Sequence, residues 1–520
     1  MQKRKFVKNA FWLTATSLIL RFVGVYFRIW LSNKIGAEGM GLYQLEMSVF
    51  MLFAVFAASG LTTAVTRQVT DYLSLNNKAG AKKSLKVSFY LTAILAFASS
   101  LSLFLFAKPI AVFAIKDVRA YKALKIAALA LPFMGTASIF KGYFLARRNA
   151  KSPSLAIILE QTVRIAAVFF MFYKYKINSL ANATAAVLLA DALSEGSSMI
   201  FLSVEFIKDY KKIGDLKPFK NYKNSKALKR LCAPKTSVVL KNNLSISVPI
   251  TLGKYLSTGL RTLENLLVPR SLSKYTFSYK NSLTQFGMIK GMPLPILFFP
   301  SSLLGSVTTL LIPELSEAKV KNNSGAIKKA VDKSVKITLY FGFIAAVIFY
   351  FAAEKIGVVI YKNASVGFLI KALSPLVPVM YLDSLCDGLL KGLDKQKAVF
   401  FHSFFDSVLR ITLILAVVPF FGMTGFLIIM FLSNIFTCFL NARKLFLTAK
   451  EKPDLKNTVI LPLVFALFSG SISFALCEIF KINSNMLYLI IFSLIAVVIF
   501  VFCILAQNAF KISKIKGFLS

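Results

Sequence analysis

Apolar stretches long enough to cross a membrane dominate this chain of 520 residues. Blocks of about 20 residues rich in Phe, Leu, Ile, Val and Ala recur from end to end, and short polar breaks separate them. Hydrophobic residues make up 57% of the sequence, and Phe alone occurs 50 times. Strands of a membrane β-barrel would be shorter and would alternate apolar with polar residues. The pattern therefore predicts an all-α polytopic membrane protein.

The polar breaks divide these blocks into fourteen predicted transmembrane helices. An even number of crossings puts both termini on the same side of the membrane. The predicted helices begin near Asn9, Gly41, Ser84, Ala120, Pro153, Leu180, Thr236, Leu283, Val331, Val366, Ala398, Thr424, Thr458 and Met486.

The chain is strongly basic, with 63 Lys and Arg residues against 22 Asp and Glu and a net charge of +41. Most of the basic residues fall in the terminal segments and in every second loop, and the positive-inside rule makes these segments cytoplasmic. The sequence therefore predicts a protein of the cytoplasmic membrane with both termini in the cytoplasm. In such a protein the charge marks topology and contacts anionic membrane lipids. It does not indicate a nucleic-acid partner.

The sequence repeats itself at an offset of 246 residues. The range Glu160–Arg164 corresponds to Asp406–Arg410, and NNKAGAKKSL at 76–85 corresponds to NNSGAIKKAV at 322–331. Two halves in the same orientation predict two six-helix lobes related by a pseudo-two-fold axis along the membrane normal. Transporters built from parallel repeats rock such lobes about a central binding site.

This repeat divides the chain into four predicted parts. Residues 1–206 form an N-terminal lobe of helices 1–6, and residues 236–450 form a C-terminal lobe of helices 7–12. A basic cytoplasmic linker at 207–235 joins the lobes. Residues 451–520 hold helices 13 and 14, which have no counterpart in the repeat, and a short cytoplasmic tail.

Two motifs near the N-terminus carry a resemblance to a known family. RFVGVYFRI at 21–29 and GAEGMGLYQ at 36–44 resemble the opening of the stage V sporulation protein B family, and the segments 58–67 and 294–314 continue the match. That family belongs to the multidrug/oligosaccharidyl-lipid/polysaccharide exporter superfamily and is related to the lipid II flippases.

The resemblance implies a flippase that moves an undecaprenyl-pyrophosphate-linked saccharide across the membrane by alternating access. The cargo would be a peptidoglycan precursor or a polysaccharide repeat unit, in cell-wall synthesis, polysaccharide biosynthesis or sporulation. The implied partners are this lipid-linked glycan, membrane lipids and the enzymes of cell-wall or polysaccharide synthesis.

Two arginines, Arg21 and Arg28, lie inside the first apolar block. A charge at the centre of the bilayer costs about 2.5–3.5 kcal/mol on insertion scales, so something must offset it. Seven residues are about two helical turns, so both arginines lie on one face of the helix. At an offset of 233 residues, Lys254 and Arg261 repeat the arrangement on helix 7. We expect these four cations to line a central cavity that binds the pyrophosphate. The alternative for Arg28 is snorkelling to the headgroups.

Other polar residues accompany this predicted site. Thr14 and Ser17 share the arginine face of helix 1, and Ser247 takes the position of Thr14 on helix 7. Glu46 and Glu264 are carboxylates close to the predicted cavity. We expect all five to support the site without cancelling its positive charge.

Two further ion pairs are expected to be structural. Glu160 with Arg164, and Asp406 with Arg410, are four residues apart, so each pair can neutralise itself within one helix. Neither a metal site nor a cofactor is predicted, because the five cysteines form no CxxC pair and the chain has a single histidine, His402. The source of energy, a coupling ion or the membrane potential alone, stays open.

Two other functions compete with flipping. A cation-coupled multidrug exporter of the same superfamily would favour acidic groups facing the cavity, whereas helix 1 offers arginines. A polytopic enzyme that polymerises glycans would need acidic or His groups on a sizeable outer loop. The predicted outer loops are short, so the sequence predicts no enzymatic activity and no catalytic residue.

Overall fold

The computed structural model of this chain consists of α-helices joined by short turns. It describes the backbone of residues 2–519 except at positions 59, 76, 176, 178, 213–234, 322, 452 and 483. Side chains are described from residue 19 to residue 507, without those positions and without 211, 212, 306, 307, 309, 310 and 313. Within this described part there is no strand, and ten helices are long and apolar enough to cross a membrane. The predicted all-α polytopic membrane fold is confirmed, and the count of fourteen crossings stays a prediction.

The helices follow the apolar blocks of the sequence. The first half contains α1 (Gln2–Ala58), α2 (Leu61–Ser74), α3 (Lys78–Pro109), α4 (Ala120–Ala128), α5 (Ala130–Ala146), α6 (Lys151–Lys174) and α7 (Leu180–Lys212). The second half contains α8 (Thr236–Thr276), α9 (Tyr279–Gly291), α10 (Pro293–Phe298), α11 (Ser301–Val320), α12 (Ser324–Phe351), α13 (Ala353–Tyr361), α14 (Ala364–Leu373), α15 (Val377–Gly392), α16 (Gln396–Ala449), α17 (Leu461–Ile479) and α18 (Asn485–Leu519).

The structure divides into two compact units. The first unit comprises Met1–Gly24 and Leu42–Leu266, and the second comprises Val25–Gly41 and Leu267–Ser520. These units are not the predicted lobes, because residues 236–266 pack with the first half of the chain and residues 25–41 pack with the second half. The lobe assignment rests on the sequence repeat and stays a prediction. Nearly all of the predicted linker, residues 213–234, lies outside the described residues.

Two glycines interrupt the longest helices. α1 and α16 have 57 and 54 residues, which at 1.5 Å per residue is far longer than the hydrocarbon core of about 30 Å. Gly36 (φ 71°, ψ −179°) breaks α1, and Gly422 (φ 57°, ψ −135°) breaks α16. Glycine adopts such positive φ values without the steric cost that a Cβ would add. Each break falls shortly before the predicted start of a new transmembrane helix, at Gly41 and Thr424.

Prolines break the helix that the sequence places near Leu283. Pro293, Pro295 and Pro300 predict a kink there, because proline lacks the backbone donor of an α-helix. The prediction is confirmed: α9 ends at Gly291, α10 covers only six residues, and α11 begins at Ser301.

Two buried tyrosines donate hydrogen bonds to backbone carbonyls beside this break. The hydroxyl of Tyr361 donates to the carbonyl of Met292 at 2.6 Å, and the hydroxyl of Tyr381 donates to the carbonyl of Leu297 at 2.7 Å. Both tyrosines are buried, at 5% and 1% exposure. These bonds tie α10 and the residue before it to α13 and α15.

The glycine-rich motif at 36–41 packs directly on α9 within the second unit. A Cβ built on Gly287 would clash with the carbonyl oxygen of Ala37 and lie 2.5 Å from the backbone nitrogen of Gly41. A Cβ on Gly41 would clash with the carbonyl oxygen of Leu283. Small residues let membrane helices approach this closely. Close approach increases the van der Waals contact between the helices, which drives their association because there is no hydrophobic driving force between helices in lipid. The glycines of the motif therefore have two roles: Gly36 breaks the helix, and Gly41 allows the close backbone contact with α9.

Candidate functional site

Hydrogen bonds hold α8 against α1 and α3 of the first unit. Asn243 Nδ2 donates to Ser88 Oγ of α3 at 2.8 Å. Further along, Thr262 Oγ1 donates to the carbonyl of Ser48 at 2.9 Å, and Asn265 Nδ2 donates to Ser48 Oγ at 2.8 Å. The interior of a bilayer offers no water to replace such bonds, so they fix which face of α8 is buried.

α8 also carries two of the predicted cations. Lys254 and Arg261 are exposed, whereas Ser247, Thr262 and Glu264 are buried at 4–5% exposure. Neither Lys254 nor Arg261 forms a salt bridge with a residue that the structure describes. Because seven residues separate them, both side chains leave the helix in nearly the same direction.

Ser247, the predicted supporting residue of α8, has a packing role in this structure. Its carbonyl oxygen lies so close to Gly60 that a Cβ at position 60 would clash with it and with Thr251 Oγ1. Gly60 has a φ of 55° and precedes α2. Ser247 is therefore buried at a backbone contact with Gly60.

The two predicted arginines of α1 belong to different compact units. Arg21 is exposed and lies in the first unit, and Arg28 is partly buried and lies in the second unit. Both side chains interact with other groups of the protein. Thr14 and Ser17, the predicted supporting residues of this helix, lie outside the residues whose side chains are described.

The exposure of these cations indicates whether they face lipid or water in the membrane. A side chain in an apolar span that protein does not cover faces either lipid or water. Lipid is excluded for a cation far from the helix ends by the cost of burying charge. Arg21 lies in one of the ten apolar spans, and Lys254 and Arg261 lie in the predicted helix 7, so all three are expected to face water, where a dissolved or amphipathic anion can reach them.

The predicted supporting carboxylates are turned into the protein. Glu46 is fully buried, and its Oε1 accepts a hydrogen bond from Thr184 Oγ1 at 3.0 Å. Glu264 is 5% exposed. Of the predicted site residues on α1 and α8, the acids are therefore buried, and Arg21, Lys254 and Arg261 are exposed.

The ion pair of α6 belongs to a larger charged cluster in the first unit. Arg164 Nη2 lies 3.1 Å from Glu160 Oε1, and Arg164 Nε lies 2.6 Å from Asp191 Oδ1 on α7. Lys141 Nζ of α5 lies 3.6 Å from the other oxygen of Glu160. Glu195 follows one turn after Asp191 on α7. The pair therefore crosslinks three helices, whereas the sequence analysis expected neutralisation within one.

The ion pair of α16 is also part of a network between helix segments. Arg410 Nη2 lies 2.8 Å from Asp406 Oδ2, and Arg410 Nε donates to Ser433 Oγ at 2.9 Å. The Ser433 hydroxyl also donates to Asp406 Oδ1.

A second polar chain begins at the single histidine of this protein. Nδ1 of His402 hydrogen-bonds Asn441 Oδ1 at 2.8 Å, and Asn441 Nδ2 donates to Asp383 Oδ1 at 2.8 Å. Among the described residues no group of three or more His, Cys, Asp or Glu side chains could hold a metal ion.

Asp191 and Glu195, which complete the cluster of the first unit, are not among the residues predicted from the sequence. A signal for them existed, because both interrupt the apolar block LANATAAVLLADALSEGSSMIF, and acids inside a membrane span are rare. What the block does not reveal is which basic residue they meet, since Arg164 is on another helix.

We expect Asp191→Asn to destabilise the protein by roughly 2–3 kcal/mol. Removing one partner of a buried ion pair leaves the other charge uncompensated, and the remaining contact of Arg164 with Glu160 limits the loss. The measurement is the thermal unfolding temperature of the purified protein in detergent. Glu205→Gln is the matched control, because its pair with Lys208 on the same helix is largely exposed and should contribute about 0–1 kcal/mol. Equal unfolding temperatures for the two variants would contradict a stabilising role for the cluster.

Solved membrane transporters share this fold. A structure described as lipid II flippase MurJ in an inward closed conformation matches with a TM-score of 0.70 at 15% identity, covering 97% of this chain and 100% of that one. An inward-facing multidrug resistance MATE family transporter of the MOP superfamily matches with a TM-score of 0.59 at 15% identity, covering 84% and 100%. The chain is thus a polytopic membrane protein with the fold of these transporters.

The sequence comparisons assign the family. The model of the polysaccharide biosynthesis protein family matches residues 6–319, more than half of the chain, and the chain belongs to that family. Stage V sporulation protein B of Bacillus subtilis (strain 168) is 25% identical over 430 residues, 82% of this chain and 80% of that protein. Lipid II flippase MurJ of the same organism is 22% identical over 422 residues, 76% of this chain and 74% of that protein. The predicted family resemblance is confirmed.

Proposed function

We propose that this protein moves a saccharide linked to a polyprenyl pyrophosphate, such as undecaprenyl pyrophosphate, across the cytoplasmic membrane. The observation that carries the proposal is the exposure of Arg21 on α1 and of Lys254 and Arg261 on α8, the predicted helix 7, while Glu46 and Glu264 of the same two helices are buried. Exposed cations at that depth suit an anionic ligand. The similarity to a lipid II flippase in sequence and fold supports the same class of cargo.

The binding chemistry follows from the two kinds of cation. Guanidinium groups donate parallel hydrogen bonds that match phosphate oxygens, and ammonium groups act as compact point charges. The attraction is stronger in a cavity of low effective dielectric than in bulk water. An anion held there offsets the cost of placing the cations in the membrane. Alternation of the cavity between the two sides would then carry the headgroup across while the polyprenyl chain stays in lipid.

The competing function is export of cationic drugs, which the likeness to a multidrug resistance transporter brings into consideration. A cavity for cations would present carboxylates. In this chain Glu46 and Asp191 are buried at 0% and 6% exposure, while the exposed charged side chains of α8 include Lys254 and Arg261. The charge distribution favours an anionic cargo.

Depletion of the protein tests this function. Cells with repressible expression should accumulate a lipid-linked saccharide, measured by mass spectrometry of extracted lipids. The saccharide should resist periodate applied to intact cells, because periodate does not cross the membrane and would oxidise only sugars on the outer face. Re-expression should reverse the accumulation. Unchanged lipid-linked saccharides, together with increased retention of cationic dyes, would contradict flipping and favour drug export.

A further inference from the structure

A groove of about 620 Å³ opens on the first unit between α3, α5 and α7. It does not involve the cations proposed for transport. Its walls are apolar and aromatic, and its mouth carries three lysines of the first turns of α3: Lys82, Lys83 and Lys86. None of the residues that line it is acidic.

Aromatic rings form a continuous wall in this groove. The ring of Phe140 lies 6.4 Å from that of Phe89 and 5.0 Å from that of Phe206, and Phe206 lies 5.1 Å from Tyr210. Phe89 and Tyr90 remain exposed, at 39% and 57%. Large exposed apolar side chains on a membrane helix are suited to contact with acyl chains.

The lysines and the aromatic wall lie at different depths. The Nζ of Lys82 is 5.0 Å from the ring of Tyr210, which places the last described turn of α7 beside the start of α3. From Lys82 to Tyr90, α3 advances eight residues, or about 12 Å towards the middle of the span. A positive mouth at the level of the headgroups therefore leads into an apolar channel.

The three ammonium groups are available for a ligand. None of them forms a salt bridge with a residue in the described ranges. The neighbouring acids are engaged elsewhere: Asp209 pairs with Arg147 at 3.1 Å, and Glu205 pairs with Lys208 at 3.1 Å.

The second half of the chain provides an internal comparison. The segment that corresponds to the start of α3 begins α12, and the same cap forms in both: Asn77 Oδ1 accepts from the nitrogen of Gly80, and Asn323 Oδ1 accepts from that of Ala326. A groove of about 470 Å³ lies along α12 as well. There Asp332 stands where the first half has Lys86.

The charge of this second groove is reversed. Its lining includes Asp332, Glu451 and Asp454 with one arginine, Arg443. Lys328, the counterpart of Lys82, is neutralised by Glu451 at 3.0 Å. A basic mouth is therefore a property of the first groove and not a consequence of the repeat.

We infer that the groove between α3, α5 and α7 binds an anionic phospholipid of the surrounding membrane. The three lysines hold the headgroup phosphate, and the aromatic wall holds an acyl chain. Charge complementarity selects anionic over zwitterionic lipids, because juxtamembrane basic clusters gain their attraction from net negative headgroups. With the predicted orientation, this lipid comes from the cytoplasmic leaflet. The inference goes beyond the transport function and does not depend on it.

Native mass spectrometry of the full chain released from nanodiscs tests the inference. The nanodiscs contain equal amounts of phosphatidylglycerol and phosphatidylcholine with identical acyl chains. The groove variant is Lys82→Gln/Lys83→Gln/Lys86→Gln, and the control is Lys328→Gln/Lys329→Gln/Lys333→Gln, which removes the same charge beside the acidic groove. The groove variant should retain about tenfold less phosphatidylglycerol than the wild type, with phosphatidylcholine unchanged. The control should retain the wild-type amount.

A single substitution tests the inference even if the triple variant does not fold. Lys86→Asp introduces the residue of the second groove at an exposed position, and it should lower phosphatidylglycerol retention at least as much as Lys86→Gln. Equal losses in the groove variant and the control, or no loss in either, would overturn the proposal. Displacement by millimolar inorganic phosphate would show a phosphate site without lipid selectivity. Displacement by equimolar undecaprenyl phosphate would assign the groove to the polyprenyl lipid. Either displacement overturns the assignment to a phospholipid.

Discussion

Arg21→Glu is expected to abolish transport while the protein still inserts and accumulates at the wild-type level. Arg21 is exposed in the first unit, so its replacement disturbs little packing, and a glutamate there would repel the pyrophosphate directly. Arg21→Ala should reduce transport roughly ten- to hundredfold, because a charge-assisted hydrogen bond contributes about 1.5–3 kcal/mol. Arg21→Lys should retain part of the activity, since an ammonium keeps the charge and loses the bidentate geometry.

The measurement is complementation of depleted cells, with the lipid-linked saccharide quantified in the same cultures and membrane levels checked by blotting. Lys108→Glu is the matched control, because Lys108 is an exposed cation in the last turn of α3, where headgroups and water can solvate either charge. It should complement fully. If Arg21→Glu and Arg28→Glu both complement at normal protein levels, the assignment of an anionic cargo to these arginines is wrong.

Gly287→Ala should destabilise the second unit by about 1–3 kcal/mol or more, the cost of forcing extra atoms into a packed contact. The new Cβ would meet the backbone of Ala37 and Gly41. Backbone atoms cannot move away as a flexible side chain could, so α9 and the segment at 25–41 would have to separate. The helix propensity gained by replacing glycine with alanine offsets only about 1 kcal/mol.

Gly253→Ala is the control for this prediction. Gly253 also lies within a long helix, α8, and a Cβ there would have no neighbour within 4 Å. It should therefore leave the thermal unfolding temperature unchanged or raise it slightly, while Gly287→Ala lowers it. The measurement is thermal unfolding followed by size-exclusion chromatography in detergent. If the Gly287→Ala protein is as stable as the Gly253→Ala protein, the backbones at this contact can move apart without a measurable loss of stability.

The amino-acid sequence by itself determined the fold class, the helix breaks at the prolines and the family. The fold class and the helix breaks depend on local signals, because block length sets the membrane helices and a missing backbone donor breaks a helix. The family depends on motif residues, among them Gly36, whose positive φ suits glycine. The sequence also showed four basic residues within apolar blocks, because charged residues are rare in membrane helices. These residues are Arg21, Arg28, Lys254 and Arg261.

Only the tertiary structure decided which of these polar groups are exposed and which are neutralised. Asp191 meets Arg164 on another helix, Glu46 turns inward to Thr184, and Ser247 packs beside Gly60. Helical periodicity tells which residues share a face, but the rotation of that face towards protein or solvent depends on contacts between distant segments. The basic groove beside α3 could not be predicted for the same reason. In the sequence its lysines are only a cluster of basic residues, and they form a site only together with the aromatic rings of α5 and α7.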